Sequence, residues 1–183
     1  EIAREKGGII AKDTPVVLMH QKPEVMEEIR RICKEKNAKL HITNPKYFHS
    51  YSFHIDNGYQ YFSYRERHEY ALSLLGDYQL DNAMVICDAI DCLKERGISI
   101  PEDCVKQGLM TVTWPGRFEI LKKRPLIILD GAHNPQALNS VVRSIEMLFP
   151  NYKKRIFFSV MADKDYMTML ELLKNNTLSF SFF

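Results

Sequence analysis

The sequence predicts an α/β protein with parallel strands, on three observations. Residues 14–19, 23–36 and 38–42 alternate strand, helix and strand, the order that a parallel sheet with a crossover helix requires. The run Leu126-Ile127-Ile128-Leu129 is wholly aliphatic, as a strand covered on both faces would be, and it stops at Asp130-Gly131-Ala132-His133-Asn134-Pro135, where a helix begins. Residues 155–160 and a helix through about Leu173 repeat that strand, turn and helix.

Composition narrows the functional classes. With 183 residues, 45% of them hydrophobic, the chain can bury one substantial core or two modest ones. The formal charge of +2 is spread without a long run of either sign, so neither a nucleic-acid nor a membrane surface is expected. A small-molecule partner and a monomer are. Cys33, Cys87, Cys92 and Cys104 lack C-x-x-C spacing and mostly have apolar neighbours, which suits reduced thiols in a cytoplasmic protein. No apolar run is long enough to cross a bilayer.

Along the chain, the opening Ile2 to Ile10 has no cap or turn before it and reads as the middle of a longer protein. Its paired Gly7-Gly8 permit a bend after a short helix, bringing Lys6 near backbone or ligand, although most such lysines are simply solvated. In the helix over 23–36, Val25, Met26, Ile29, Ile32 and Cys33 share one face. Tyr51 to Ile55 and Tyr59 to Phe62, joined by Asp56-Asn57-Gly58, form a hairpin expected at an antiparallel edge; its aromatics suit a strand as well as a flat ligand. A long helix follows Gly76 and ends at Gly97, with Ala83, Ile86, Ala89, Ile90 and Leu93 at helical spacing. Near its start, Gln79 and Asn82 either cap backbone or reach a ligand. Trp114-Pro115-Gly116 makes a stiff turn before an extended run and is the expected domain boundary. The helix from Pro135 to about Leu148 turns Leu138, Val141, Val142, Ile145 and Leu148 inward. The apolar ending from Leu178 to Phe183 reads as a cut strand or an abnormal end of the reading frame.

The chemistry concentrates after Leu129. Gly131 allows a tight turn or close backbone approach, Asn134 is placed as an N-cap, and Pro135 suits the first helical position. That arrangement leaves helix N–H groups to face an anion, flanked by Asp130 and His133 at the carboxyl edge of a strand. The same residue types also make an ordinary strand-to-helix turn.

The order of residues adds a resemblance. Leu129-Asp130-Gly131-Ala132-His133-Asn134-Pro135-x-Ala137-Leu138 resembles the C-terminal-domain signature of folylpolyglutamate synthases and dihydrofolate synthases, a branch of the Mur ligase superfamily. Glu5-Lys6-Gly7-Gly8-Ile9 is similar to that family's Glu-Lys-Ala-Gly-Ile, with Gly7 where alanine is usual. Gly76-Asp77-Tyr78-Gln79-x-x-Asn82-Ala83 resembles its Gly-x-His-Gln-x-x-Asn-Ala, with tyrosine replacing histidine, and Trp114-Pro115-Gly116-Arg117-Phe118-Glu119 resembles its domain junction. The resemblance implies the C-terminal part of a Mur-ligase-type central ATPase domain over 1–114 and a truncated Rossmann-like C-terminal domain over 115–183.

It also implies ATP-dependent addition of L-glutamate to a folate or to dihydropteroate through an acyl phosphate, with ATP and Mg²⁺ required. By resemblance Lys6 is carbamylated and holds Mg²⁺, Asn82 and Arg117 bind ATP, and Asp130 fixes the nucleotide. Gln79 is left as a packing residue. His133 would orient a phosphate or take a proton from the attacking amine. A similar Asp-Lys-Asp occurs in family members at the edge where Asp163-Lys164-Asp165 stands here, though a solvated turn describes these charges better, since no contact can be assigned to them. The family's Gly-x-x-x-x-Gly-Lys phosphate loop does not occur in this chain, so the isolated chain is expected to be inactive. The rivals are a peptidoglycan-type Mur ligase, whose motif reads Asp-Tyr-Ala-His-Thr-Pro, and a non-catalytic nucleotide-binding domain.

Overall fold

A computed structural model describes residues 2–54, 56–174 and 179–182, with side chains for all of these except 67, 68 and 179–182. Ile55, Leu178 and Phe183, which the hairpin and chain-end readings included, lie outside the described residues. The first unit is α1 (Ile2–Gly7), β1 (Val16–Met19), α2 (Pro23–Glu35) and β2 (Leu40–Thr43). β1 and β2 pair in parallel, Val16 opposite Leu40, as the strand-helix-strand order required. α2 packs Ile29, Ile32 and Cys33 against Ile10 and Ala38. Gly7 is buried because α1 lies tight on α2: a Cβ at that position would come within 2.4 Å of the Ile32 Cδ1 atom.

The hairpin is not an edge of that sheet. β3 (Phe48–His54), β4 (Tyr59–Tyr64) and β5 (Arg67–Leu72) form a separate antiparallel sheet in the order β3-β4-β5. Its inner face, Phe62, Tyr64, Tyr70 and Leu72, is sealed by α3 (Asp77–Glu95) and α4 (Glu102–Thr111). Full burial of such rings contributes about 1.5–3 kcal/mol each. The inward stripe of α3 is Leu80, Ala83, Met84, Cys87 and Cys92, and Ile86 and Leu93, expected inside, are 45% and 38% exposed. The reason is Asp88, which occupies the buried stripe, accepting the Tyr64 hydroxyl at 3.1 Å and pairing with Arg65 at 2.8 Å. A polar residue held that way displaces the stripe that apolar spacing alone selects.

The last unit contains β6 (Glu119–Lys123), β7 (Leu126–Leu129), α5 (Pro135–Leu148), β8 (Arg155–Phe158), α6 (Tyr166–Lys174) and β9 (Ser179–Phe182). β8 and β9 are parallel. β7, expected to be parallel and covered on both faces, pairs antiparallel with β6 instead, Ile120 opposite Ile128. Only two residues separate those strands, too few for a crossover. Leu126 and Ile128 pack on the core under α5, whereas Ile127 and Leu129 are 44% and 48% exposed. Phe157 of β8 is likewise exposed, so that strand too is covered on one face rather than two. α5 follows its expected pattern, with Leu138, Val141, Val142 and Leu148 buried. No described helix is long and apolar enough to cross a membrane.

Candidate functional site

Asp130 terminates β7 and is half-buried. Its Oδ1 accepts the Ala132 N–H at 2.7 Å, which shapes the following loop. Its Oδ2 accepts the Phe118 N–H at 2.8 Å and the Tyr78 hydroxyl at 3.2 Å. Three separate pieces of chain thus converge on one carboxylate: the loop after β7, the turn before β6 and the first turn of α3. Hydrogen bonds to an ionised acceptor are the stronger kind, so this is a well-anchored point.

The turn before β6 is built around that anchor. Gly116 has φ +72° and its N–H donates to Glu119 Oε2 at 2.8 Å. Gly131 N–H donates to the Gly116 carbonyl at 2.8 Å, and a Cβ on Gly131 would lie 3.4 Å from that oxygen, so the two backbones cross closely. Phe118 has φ +47°, a costly conformation for an aromatic residue, and is 1% exposed. Burial of its ring against Phe149 and the bond to Asp130 hold it there. Arg117, between these two left-handed residues, is exposed and borders a cleft of about 490 Å³ shared with Trp114, Lys122, Lys123 and the Asn57-Gly58 turn. Strain held next to an exposed guanidinium is a functional-site signature.

α5 begins as expected. Asn134 caps it, its Oδ1 accepting Ala137 N–H at 2.8 Å, and Pro135 is at the first position. The N–H groups expected to face an anion are mostly committed, because Pro135 has none and that of Ala137 is taken by the cap. His133 is exposed, with Nδ1 3.0 Å from the Gly131 carbonyl. A carbonyl only accepts, so Nδ1 is the donor in this contact, and in a neutral ring Nε2 is then the acceptor.

Across the junction, the phenol of Tyr78 is half-buried; burial first, then the charge of Asp130, pushes its pKa well above the usual tyrosine value. It remains a hydrogen-bond donor at physiological pH. One turn further along α3, the exposed Asn82 donates to the buried Gln79 at 3.0 Å. Ser144 of α5, fully buried, accepts Asp77 N–H at 3.0 Å and lies 2.9 Å from Asp77 Oδ1, and Arg143 pairs with the same carboxylate at 3.0 Å.

Hydrogen bonds to Asp130 therefore join the turn that carries Arg117 and the first turn of the Asn82 helix, while His133 is tied to the neighbouring Gly131 carbonyl and Asn82 to Gln79. Lys6 is elsewhere: exposed on α1, whose packing partner is α2, with an ammonium that has no hydrogen bond or ion pair to the described residues. Among the described residues no three His, Cys, Asp or Glu side chains are grouped to hold a metal ion. Asp163 and Lys164 pair with each other at 2.7 Å, and Asp165 accepts Thr168 N–H at the start of α6.

Residues 116–178 match the family described as Mur ligase, glutamate ligase domain. The dihydrofolate synthase/folylpolyglutamate synthase of Bacillus subtilis is 29% identical over 178 residues, which is 95% of this chain and 41% of that protein. A solved FPGS-AMPPCP-folate complex superposes with a TM-score of 0.85 and 27% identity over 97% of this chain and 44% of that one. The folylpolyglutamate synthase of Mycobacterium tuberculosis complexed with ADP gives 0.85 and 27% over 99% and 42%. The chain belongs to the folylpolyglutamate synthase/dihydrofolate synthase family.

The chain spans about two fifths of the length of those relatives. The match to the Mur ligase, glutamate ligase domain spans the Asp130-Gly131-Ala132-His133-Asn134-Pro135 string. Sequence reasoning missed Tyr78, Asp77, Ser144 and the left-handed Phe118. Tyr78 had a visible signal, since it stands where the resembled pattern has histidine; Ser144 had none, being a small polar residue on the inward face of an amphipathic helix.

Proposed function

We propose that this chain forms the nucleotide side of an ATP-dependent ligase that joins L-glutamate to a folate or to dihydropteroate. Residues 1–114 would belong to the central ATP-binding domain and 115–183 to the Rossmann-like ligase domain. The observation that carries the reading is the convergence on Asp130, which fixes the turn bearing Arg117 against the helix bearing Asn82. The relatives' names and the nucleotide complexes among them supply the substrate class.

In this reading Arg117 meets phosphate oxygens with its planar fork, Asn82 contacts the nucleotide, and Asp130 holds both supports in place. Three of the hydrogen-bonding positions on Asp130 are already filled, so its positioning role outweighs direct contact with ATP. The substrate carboxylate displaces ADP at the γ-phosphorus, giving an acyl phosphate; the glutamate amine then displaces phosphate at the acyl carbon and loses a proton. The free Nε2 of His133 is suited to accept that proton. The described residues do not by themselves fit a Mg²⁺ shell. Lys6, as a carbamate, would supply one oxygen, and further ligands would come from outside this chain.

Calorimetric titration of the 183-residue chain with ADP tests the nucleotide assignment. Binding is expected, and Arg117→Ala should weaken it roughly tenfold, the loss of one charge-assisted contact. Absence of any ADP binding at millimolar concentration overturns the assignment. In a ligase of the relatives' length containing this chain, Lys6→Ala is expected to abolish folate glutamylation.

A further inference from the structure

The two oxygens of Asp130 are used unequally. Oδ1 serves its own loop through Ala132 N–H, whereas Oδ2 is the meeting point of two distant segments, the Phe118 N–H and the Tyr78 hydroxyl. Phe118 directly follows Arg117. Tyr78 and Asn82 are four residues apart on α3, hence neighbours on one helix face, separated by about 6 Å of rise. A single oxygen atom therefore sets the span between the residues that carry the nucleotide reading.

We infer that Tyr78 is a positioning residue of the nucleotide site, acting through Asp130 to hold the Asn82 helix in register with the Arg117 turn. This rests on the proposed reading of Asn82 and Arg117.

The surroundings are built for that hydroxyl. Gly76 is buried at φ +110°, and a Cβ there would lie 2.9 Å from Tyr78 Cε1 and 3.1 Å from Ser144 Oγ. The bare backbone at 76 is what lets the phenol ring and α5 approach side by side. A second tie lies next to the first: Ser144 and Arg143 both hold Asp77, one residue before Tyr78. That tie joins α3 to α5 without touching Asp130, so the two can be separated by experiment. Loss of the Ser144 tie should loosen the helix pair; loss of the Tyr78 hydroxyl should change the nucleotide site and leave the packed ring in place.

The test is ADP calorimetry on the 183-residue chain, run beside thermal unfolding, for Tyr78→Phe, Tyr78→His, Ser144→Ala and Arg117→Ala. Tyr78→Phe is expected to weaken ADP binding about fivefold with little change in the unfolding midpoint, less than the full worth of a hydrogen bond to a charged group because the contact acts on the nucleotide indirectly. Tyr78→His, which restores a donor, should recover affinity to within about twofold. Ser144→Ala should lower the midpoint yet keep ADP affinity within about twofold. If Arg117→Ala weakens binding while Tyr78→Phe binds as the parent does, the inference fails and the nucleotide reading survives. Equal affinity losses in Tyr78→Phe and Ser144→Ala also overturn it, because the role would then be structural alone. If the chain does not bind ADP, or Arg117→Ala leaves binding unchanged, the nucleotide reading fails and the inference with it.

Discussion

Lys6 and Asp130 are both singled out by a motif, but their surroundings differ. Lys6 lies exposed on a six-residue helix, its ammonium without a polar partner among the described residues. Asp130 is half-buried and receives three donors from three segments. Asp130 is pre-organised by its own chain, because the fold has already ordered the groups around it. Lys6 is offered at a surface, and anything that desolvates it must come from another segment or from a ligand. Carbamylation needs a neutral amine, which an exposed lysine seldom supplies.

That contrast is open to direct test. The largest effect should come from Asp130→Ala, which strands the Phe118 and Ala132 N–H groups and the Tyr78 hydroxyl; urea unfolding is expected to show a loss of about 3 kcal/mol. An effect no larger than that of a surface substitution would erase the distinction between the two regions. Gly76→Ala follows, at about 2 kcal/mol, because φ +110° is strained for any side chain and the new methyl meets Tyr78 and Ser144. The same unfolding measurement reads it.

Alkaline titration sharpens the comparison further. Tyr51, whose hydroxyl is buried without a hydrogen-bond partner among the described residues, is pushed up to about 12, first by burial and then by the charge of Asp77. Its folded pKa lies above its unfolded value near 10, so its contribution is complete below about pH 10 and is lost as pH rises towards 12. Midpoints measured between pH 8 and 12 should fall in that window, and Tyr51→Phe should flatten the fall. The smallest effect belongs to Lys6→Ala, expected within about 0.5 kcal/mol of the parent in this chain. A larger loss would show that Lys6 has a structural role here.

The sequence made some of this legible for physical reasons that can be named. Asn134-Pro135 marks a helix start by local chemistry alone, and the structure has the cap and the proline where that chemistry puts them. The α2 stripe was readable because all its inward residues are apolar. The α3 stripe was not, since Asp88 interrupts it and its partners, Tyr64 and Arg65, are more than twenty residues away. The pairing of β7 was misread because four aliphatics in a row suit a doubly covered strand, whereas the short link after Lys123 forces a hairpin with β6. Asp130 itself could be picked out by order and type. That its carboxylate would tie Tyr78 to Phe118 could not, because such a tie joins residues forty positions apart through a fold that has to exist first.

Trp114 is the only tryptophan in the chain, 61% exposed beside the cleft and three residues from Arg117. Its indole emission therefore gives the junction a built-in optical reporter, free of background from any other tryptophan. A shift in its wavelength or quenching would follow ligand arrival, or movement of the 114–118 turn, in real time and without an attached label.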